Sequence, residues 1–302
     1  MDRLSLLATF ARVAERGSIS AAARDLGLSQ PSVSRQLAEL ERLLGVELAR
    51  RTTHELTLTE TGRELLGDGR ALLASWDALE ERYRADAEML TGKLKVVAPI
   101  ALGQAHLVDI ALRFQKQHPG ITLDWRLDDE TIRFTEVGCD CWIKVGMVPD
   151  DRLIIRSLGE VERLIVAAPS LLGSGPAQMP SNVEKWPLAA LAPFEGGRIR
   201  LTNRQGQARV IEPEVRFITD NIVALRQATL SGVGFAVLPR WFIQAELDEG
   251  RLIDPLPNWR ALPLTVRAAF LPSRRQPRRL RRFLDHLQQE MTTISGIAPP
   301  RS

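Results

Sequence analysis

The chain has 302 residues, of which 44% are hydrophobic and 25% charged, and its formal net charge is +3. This length predicts two domains, and this composition is that of a globular protein rather than a disordered or fibrous one. No apolar run approaches the roughly 20 residues that span a bilayer, and the amphipathic start with Asp2 and Arg3 is not a signal peptide, so we expect a cytosolic protein.

The cysteines and histidines do not predict a metal site. Cys139 and Cys141 are two residues apart, so in a strand they point to opposite faces and do not form a disulfide. The histidines lack metal-ligand spacing; they are His54, His106, His118 and His286. We expect buried cysteines that act as small hydrophobic side chains, with a Cys-x-Cys redox or metal site as the weaker alternative, and no cofactor.

Residues 2–16 are predicted to form the first helix. Leu6, Phe10 and Val13 make one apolar stripe, and Gly17 stops the helix. This stripe is expected to cover the apolar side of the next two helices.

Residues 17–45 predict two helices joined by a tight turn. Ser18 caps the first helix and Gly27 ends it. Ser29 caps the second, and Pro31 stands in its first turn, where a missing N–H costs nothing. The pattern is typical of a helix-turn-helix, and a helical hairpin with a merely solvated polar face is the alternative.

The second helix has an apolar and a polar side. Val33, Leu37, Leu40 and Leu44 are predicted to share the apolar face. Short polar side chains at the helix N-terminus suit entry into a DNA major groove. The residues predicted to contact DNA from this unit are Ser18, Ser29, Gln30, Pro31, Ser32, Ser34, Arg35 and Gln36.

Residues 46–59 alternate between apolar and polar side chains, which predicts a short two-stranded wing. Four side chains lie around its tip, where they can reach phosphate or a minor groove. They are Arg50, Arg51, Thr53 and His54.

A long helix is predicted from Thr59 to about Leu90. Two apolar series recur every seven residues and are offset by four, which is the pattern of a heptad seam. They are Leu65, Leu72 and Leu79, and then Trp76, Tyr83 and Leu90. The seam favours pairing with a second copy, and a helix packed on its own domain is the alternative.

After Thr91 the pattern changes to strands alternating with helices, which predicts an α/β domain with a mostly parallel sheet. The predicted strands are 93–98, 121–127, 139–145, 154–158, 164–168, 188–191, 199–201, 215–218, 232–239 and 266–271. The predicted helices are 105–118, 131–137, 222–231 and 277–291, the third capped by Asp220 or Asn221.

Several motifs carry a resemblance to a known family. They are Ala22-Ala23, Leu26, Ser29-Gln30-Pro31-Ser32-Val33-Ser34, Leu40-Glu41, Leu44-Gly45, Leu48 and Leu56-Thr57-Leu58-Thr59-Glu60-Thr61-Gly62. From Leu4 to Gly62 the chain strongly resembles the DNA-binding region of LysR-type transcriptional regulators, and the rest matches at lower density to about Leu284. Ala49 stands where the family usually has Phe, and His54 where it often has Arg.

The resemblance implies the domain organisation. It implies a winged helix-turn-helix at 1–60, a linker and dimerisation helix at 61–91, and an effector-binding domain at 92–302 that is similar to two-lobed periplasmic binding proteins. One lobe is expected at about 92–163 and 267–302, and the other at about 164–266. The chain then crosses between the lobes twice, which makes a hinge and a cleft.

A small effector is expected in this cleft, at the carboxyl ends of strands and near helix N-termini, whose free N–H groups suit a carboxylate. Lys144 can add a cation, whereas Glu195 and Asp220 oppose a multiply anionic ligand. The candidate effector-binding residues are Pro99, Ile100, Ala101, Leu102, Gly103, Lys144, Gly146, Phe194, Glu195, Thr219, Asp220 and Asn221. Ordinary capping in these loops is the alternative.

The charges limit how DNA affinity can arise. Residues 1–60 contain eight Arg and eight Asp or Glu, so affinity must come from where the arginines lie and from several bound copies. A basic run near the C-terminus is more often a solvated helix face than a nucleic-acid contact. It consists of Arg274, Arg275, Arg278, Arg279, Arg281 and Arg282.

The sequence therefore predicts an effector-responsive regulator that binds a pseudo-palindromic DNA operator as a homodimer or homotetramer, with RNA polymerase as a further candidate partner. An enzyme is disfavoured, because no Gly-x-Gly-x-x-Gly, Walker loop or nucleophile elbow occurs, and Ser231-Gly-Val-Gly is too short to count. A solute-binding protein and a nucleoid-type structural protein are the remaining alternatives.

Overall fold

The computed structural model describes residues 2–51, 56–83, 89–172, 179–193, 197–273 and 276–300. The N-terminal elements are α1 (Arg3–Arg16), α2 (Ile19–Leu26), α3 (Gln30–Leu44), β1 (Ala49–Arg51), β2 (Leu56–Leu58) and α4 (Glu60–Tyr83). The C-terminal strands are β3 (Gly92–Ala98), β4 (Ile121–Leu127), β5 (Cys141–Val145), β6 (Ile154–Val166), β7 (Leu188–Leu191), β8 (Ile199–Asn203), β9 (Ala208–Ile211), β10 (Val215–Thr219), β11 (Ala236–Pro239), β12 (Trp259–Phe270) and β13 (Ile297–Ala298). The C-terminal helices are α5 (Ile100–Leu102), α6 (Val108–Gln117), α7 (Phe134–Val137), α8 (Pro180–Val183), α9 (Ile222–Leu230), α10 (Arg240–Asp248) and α11 (Arg278–Met291), with a π-helical turn at Gly103–Leu107 and a 3₁₀ turn at Pro169–Leu171.

The three N-terminal helices pack around one apolar core, as the sequence predicts. Leu6, Phe10 and Val13 of α1 are all buried in it. Gly27 ends α2 with a left-handed backbone, φ 65°, which glycine adopts without strain. Ser29 begins α3, because its hydroxyl accepts a hydrogen bond from the Ser32 N–H at 3.3 Å.

The wing and the long helix meet at a close contact. β1 and β2 are antiparallel, with Ala49 opposite Leu58. Thr59 caps α4, because its hydroxyl accepts from the Gly62 N–H at 2.9 Å. A Cβ at Gly62 would collide with the carbonyl oxygen of Leu48, so only glycine lets the helix approach the wing this closely.

The long helix α4 is shorter than predicted. It ends at Tyr83 instead of continuing to about Leu90, and residues 84–88 lie outside the described ranges. Leu90 is buried in the core of the following domain, so it is not part of a heptad seam on α4. Burial of this leucine beside β3 removes more apolar surface from water than an exposed helix position would.

The sheet of the C-terminal domain is mixed, so the prediction of a mostly parallel sheet is wrong. Its order is β11-β6-β12-β5-β3-β4, with β13 on β6 and with β8 linking β12 to β9. β3 is parallel to β4 and β5, whereas β6 and β12 run antiparallel to each other and to their other neighbours. A separate parallel pair is formed by β7 and β10.

The domain has two lobes because β6 and β12 cross between two sets of core residues. The sequence predicts separate strands at 154–158 and 164–168, but β6 is continuous over both. Val161 and Val266 lie in the core of the first lobe, whereas Ile165 and Ala261 lie in that of the second. The antiparallel pairing of β6 with β12 makes a two-stranded connection between the lobes.

Other elements differ in extent from the prediction. The helix after β3 begins at Ile100 rather than at residue 105, and the strand predicted at 232–239 is limited to β11. Gly234 lies against the backbone of Leu188, where a Cβ would stand 3.0 Å from the carbonyl carbon. β9, α10 and β13 were not expected from the sequence.

The N-terminal domain contacts the first lobe of its own chain through charged side chains. The Lys95 Nζ of β3 lies 2.9 Å from Glu15 Oε1 of α1 and donates to the carbonyl oxygen of Val137 at 2.6 Å. Arg279 of α11 donates to Asp77 of α4 at 2.9 Å. Lys95 and Arg279 are buried, so this contact belongs to the packed interior rather than to a solvated surface.

Within the described ranges, no helix has both the length and the apolar character needed to cross a membrane.

Candidate functional site

The N-terminus of α3 forms an exposed polar surface. Ser29, Gln30, Pro31 and Arg35 are exposed, while Val33 on the opposite side is fully buried. The Arg35 Nε donates to the carbonyl oxygen of Pro31 at 3.4 Å, a long hydrogen bond that a stronger acceptor can replace. This arrangement can enter a DNA groove with the helix N-terminus leading.

Gln36 does not belong to this surface, so its prediction as an exposed DNA contact is wrong. Its side chain is 7% exposed and its Oε1 accepts from the Thr9 hydroxyl at 2.5 Å. Gln36 follows Val33 by three residues and precedes Leu40 by four, which places it on the apolar side of the helix. Leu44, predicted to be on the buried side, is exposed because α3 ends there.

The remaining DNA-contact candidates are distributed over caps and the wing. Ser18 caps α2 by accepting from the Ala21 N–H at 3.4 Å, and Ser32 and Ser34 are half-buried. Arg50 is exposed, with its Nε 3.1 Å from Glu47. Arg51 belongs to β1 by its backbone, and the predicted contacts Thr53 and His54 lie outside the described residues.

The second half of α4 carries an exposed apolar stripe. Leu72, Trp76 and Tyr83 are 54%, 43% and 71% exposed, and Leu79 is half-buried. Leu65 instead packs against the core of its own domain. Exposed apolar side chains that line up on one helix indicate an interaction surface.

A cleft of about 1170 Å³ separates the two lobes of the C-terminal domain. Six of the predicted effector-binding residues line it: Pro99, Ala101, Leu102, Lys144, Gly146 and Asp220. Four others, Ile100, Gly103, Thr219 and Asn221, are not part of the lining, and Phe194 and Glu195 lie outside the described residues. Gly103 is buried, and a Cβ there would collide with Leu127, so it serves packing.

The N-termini of α5 and α9 do not offer the free N–H groups expected there, whereas α10, whose Pro239 and Trp241 line the cleft, begins without a side-chain cap. The Ile100 N–H already donates to Asp129 Oδ1 at 2.9 Å. The N–H groups of Val223 and Ala224 donate to Asn221 Oδ1 at 2.9 and 3.1 Å. Asn221, not Asp220, caps α9. These donors are satisfied within the chain, so a carboxylate ligand would have to displace existing caps.

Lys144 lies in the cleft beside carboxylates. Burial lowers the pKa of its ammonium group, and the negative charges of Asp129 and Asp128 partly reverse this effect. Its Nζ also lies 5.1 Å from the centre of the Trp142 ring. Burial outweighs the two carboxylates, since the pKa of Lys144 stays below its ordinary value.

Arg163 was not predicted from the sequence, and it lines the cleft from the part of β6 that passes between the two lobes. Its Nε donates to the carbonyl oxygen of Leu262 at 2.7 Å, and within the described part of the chain no carboxylate lies within 4 Å of its guanidinium. Burial lowers the pKa of Arg163, and no neighbouring charge raises it. Side chains alternate between the two faces of a strand. The sequence can therefore place Arg163 on the cleft face only once β6 is known to be continuous.

The neighbouring Glu162 lies on the other face of β6. Its carboxylate accepts from the Nε atoms of Arg240 and Arg260 at 2.6 and 2.9 Å. Burial raises the pKa of Glu162, but these two hydrogen bonds outweigh it and hold the pKa below its ordinary value. On the back face of the crossover, Glu162 is therefore paired with two arginines. On the cleft face, the described part of the chain places no carboxylate beside Arg163.

Other candidate residues have structural roles. Cys139 and Cys141 are buried, as predicted, and burial raises the pKa of Cys139 to about 12. In the C-terminal basic run, Arg279 is buried and bound to Asp77, while Arg281 and Arg282 are exposed. Arg274 and Arg275 are not among the described residues.

An exposed helix-turn-helix surface, a long helix with an apolar stripe and a two-lobed domain with an interlobe cleft define a ligand-responsive DNA-binding regulator. Two family models agree. The LysR substrate binding domain matches residues 87–292, and the bacterial regulatory helix-turn-helix protein of the lysR family matches residues 4–63. The chain therefore belongs to the LysR family of transcriptional regulators, whose members are DNA-binding regulators rather than enzymes.

Individual relatives are similar over almost the whole chain. The HTH-type transcriptional regulator PtxR of Pseudomonas aeruginosa is 28% identical, over 95% of this chain and 93% of its own. The structure of CrgA, a LysR-type transcriptional regulator from Neisseria meningitidis, is 27% identical and covers 95% of this chain and 98% of CrgA at a TM-score of 0.55. The full-length LysG of Corynebacterium glutamicum with bound effector arginine shares the fold, at 19% identity and a TM-score of 0.64, over 99% of this chain and all (100%) of LysG.

Proposed function

We propose that this regulator reads a pseudo-palindromic operator with the exposed N-terminus of α3. The observation that carries this proposal is the contrast between the exposed Gln30, Pro31 and Arg35 and the buried Val33 and Gln36 on the same helix. Arg35 is the side chain with the length and charge to reach a guanine edge, while Ser29 and Gln30 reach phosphates and neighbouring bases.

We propose that two copies pair through the stripe of Leu72, Trp76 and Tyr83 on α4. A twofold axis through this stripe would place two α3 helices in successive major grooves of one DNA face, which explains why a palindromic site is expected. Leu65 is not included, because its own domain already covers it. A homodimer is the minimal unit. A homotetramer would add further DNA contacts, which matter because the DNA-binding domain has no net basic charge to supply affinity by itself.

We propose that a small effector in the interlobe cleft changes operator binding. A ligand acts in this way only if it binds the open and closed lobes with different affinity. The contact between Lys95 and Glu15 links the first lobe directly to α1 of the DNA-binding domain, so a lobe movement would be felt there. We take the cytoplasm as the site of action and RNA polymerase as a further partner at the promoter.

A mobility-shift assay tests the DNA-binding proposal. The full chain is incubated with the DNA upstream of its own gene, with unlabelled specific DNA and scrambled DNA as competitors. Specific DNA should displace the probe at concentrations at which scrambled DNA does not. Equal displacement by both competitors would contradict a sequence-specific regulator, and transcription in vitro from the bound fragment, with and without the protein, tests the polymerase partner.

A further inference from the structure

The cations of the cleft differ in how their charge is balanced. Arg198 lies 2.8 Å from Glu212, and the negative charges of Asp129 and Asp128 act on Lys144 without outweighing its burial. Arg200 also lines the cleft, but it is exposed and therefore solvated by water. Arg163 has neither kind of partner within the described ranges, although it is half-buried. An Arg that is partly removed from water without a compensating anion raises the free energy of the unliganded protein, and a bound anion would lower it.

The guanidinium of Arg163 retains donors for such an anion. Its Nε is used by the carbonyl oxygen of Leu262, while the two terminal nitrogens have no hydrogen-bond acceptor among the described atoms. Two terminal N–H groups of one guanidinium match the two oxygens of a carboxylate. At the starts of α5 and α9, in contrast, N–H groups already donate to Asp129 and Asn221, whereas the start of α10 has no side-chain cap.

The surroundings of Arg163 limit the rest of the ligand. The cleft wall near it is apolar, being lined by Val161, Val237, Trp241, Ala261, Leu262 and Leu264. The rim of the cleft carries Asp128, Asp129, Glu130 and Asp220. An acidic rim disfavours a second negative charge on the ligand, whereas an apolar wall favours a hydrocarbon or aromatic body.

We propose that the effector is a monocarboxylate with an apolar body and that Arg163 receives its carboxylate. This inference rests on the proposed effector function of the cleft and specifies its ligand class. Because β6 is one of the two strands that connect the lobes, the carboxylate would be bound at the hinge rather than on one lobe alone. The ion-paired Glu162 on the back face holds the crossover strand in place behind it.

The experiment measures binding of four probes to the full chain by calorimetry and by thermal shift. The probes are benzoate, cyclohexanecarboxylate, the neutral benzamide and the dianion phthalate. At least one of the two monocarboxylates should bind, with benzamide and phthalate each at least about tenfold weaker, since the loss of one charged hydrogen-bonded contact has about that effect. Arg163→Met should lower the affinity for the monocarboxylate at least about tenfold. Arg163→Lys should lower this affinity by a smaller factor, because lysine keeps the positive charge.

The matched control is Arg152→Met. Arg152 is also an arginine of the first lobe, but it is exposed, paired with Asp150 at 2.9 Å and outside the cleft lining. It should bind the monocarboxylate as the wild type does. Circular dichroism of each variant verifies the fold, and Arg163→Lys keeps the test decisive if Arg163→Met does not fold.

Several results would overturn the inference. They are failure of both monocarboxylates to bind the wild type at millimolar concentration, equal binding of benzamide, or unchanged affinity in a folded Arg163 variant. The mobility-shift assay without any probe separates these from failure of the proposed function. A protein that binds its operator but no monocarboxylate remains a regulator with a different effector, whereas one that binds no DNA contradicts the function itself.

Discussion

The DNA-reading surface and the effector cleft differ in how much of the chain builds them. The surface is made by the consecutive residues 29–44, with the cap, the proline and the exposed arginine on one helix. The cleft lining comes from segments between Pro99 and Leu264, on strands and loops of both lobes. A site on one helix follows from local periodicity, whereas a site between lobes depends on which distant strands become neighbours.

The two regions also differ in how their charges are balanced. Arg35 on α3 is exposed, where water solvates its charge before DNA does. Arg163 in the cleft is half-buried beside apolar residues, and no carboxylate in the described ranges lies within ion-pair distance of it. We therefore expect the DNA surface to respond strongly to salt and the cleft to respond to the chemical type of the ligand.

The largest effect is expected from Phe10→Ala, which tests whether the DNA surface depends on its own small core. The side chain is fully buried, so the cavity should lower the free energy of unfolding of this domain by about 3–5 kcal/mol. Urea denaturation followed by circular dichroism and by operator binding measures it. The control is Leu43→Ala, which truncates an exposed leucine of α3 and should change the free energy of unfolding by less than about 0.5 kcal/mol. Equal effects of the two variants would refute a local core.

Leu72→Asp should come next, because it tests whether α4 presents its stripe to a second copy. A carboxylate at the centre of an apolar interface should weaken association by about 2–4 kcal/mol and give monomers in sedimentation. Val210→Asp is the control, since Val210 is similarly exposed on β9 in the second lobe. A dimer that persists in the Leu72 variant would show that the stripe packs elsewhere.

A smaller effect is expected from Arg35→Ala, which tests the exposed end of α3. Loss of one base contact should cost about 1–3 kcal/mol of operator affinity and reduce the preference for operator over scrambled DNA. Arg42→Ala on the same helix removes an arginine that is bound to Glu39 at 2.7 Å, and it should cost less than about 1 kcal/mol. Unchanged selectivity of the Arg35 variant in mobility-shift titrations would remove α3 from base recognition.

The smallest effect is expected from Lys144→Met, which compares two cations of one cleft. The negative charges of Asp129 and Asp128 beside Lys144 oppose a bound anion, so its loss should weaken benzoate binding by only about 0.2–1 kcal/mol, which is about fivefold or less. Calorimetry beside Arg163→Met measures the difference. A larger loss in the Lys144 variant than in the Arg163 variant would reverse our assignment of the anion-binding residue.

The N-terminal half shows how far prediction from sequence extends. The caps at Ser18 and Ser29 and the helix end at Gly27 all occur as expected, because each depends on residues within one turn of the helix. Gln36 is the exception. Its polarity suggested exposure, but its position between Val33 and Leu40 and its acceptance of the Thr9 hydroxyl place it in the core.

The C-terminal half shows where prediction fails. Most strands were found from their apolar runs, but their directions and the continuity of β6 were not. Antiparallel pairing of β6 with β12 joins residues about 100 positions apart in the chain, such as Arg163 and Ala261, and local sequence carries no signal for that distance. The free N–H group expected at Ile100 is absent for a related reason, since Asp129, 29 residues along the chain, satisfies it.

By itself, the sequence determined the LysR family, the helix-turn-helix with its exposed Arg35, the wing and the order of most later elements, because caps, glycines and hydrophobic periods act over a few residues. Only the tertiary structure decided that Glu15 binds Lys95, that Gln36 is internal and that Arg163 stands in the cleft without an anionic partner among the residues the structure describes. The physical reason is that burial and the balance of charges depend on every group that packs around a residue, and most of those groups are distant in the chain.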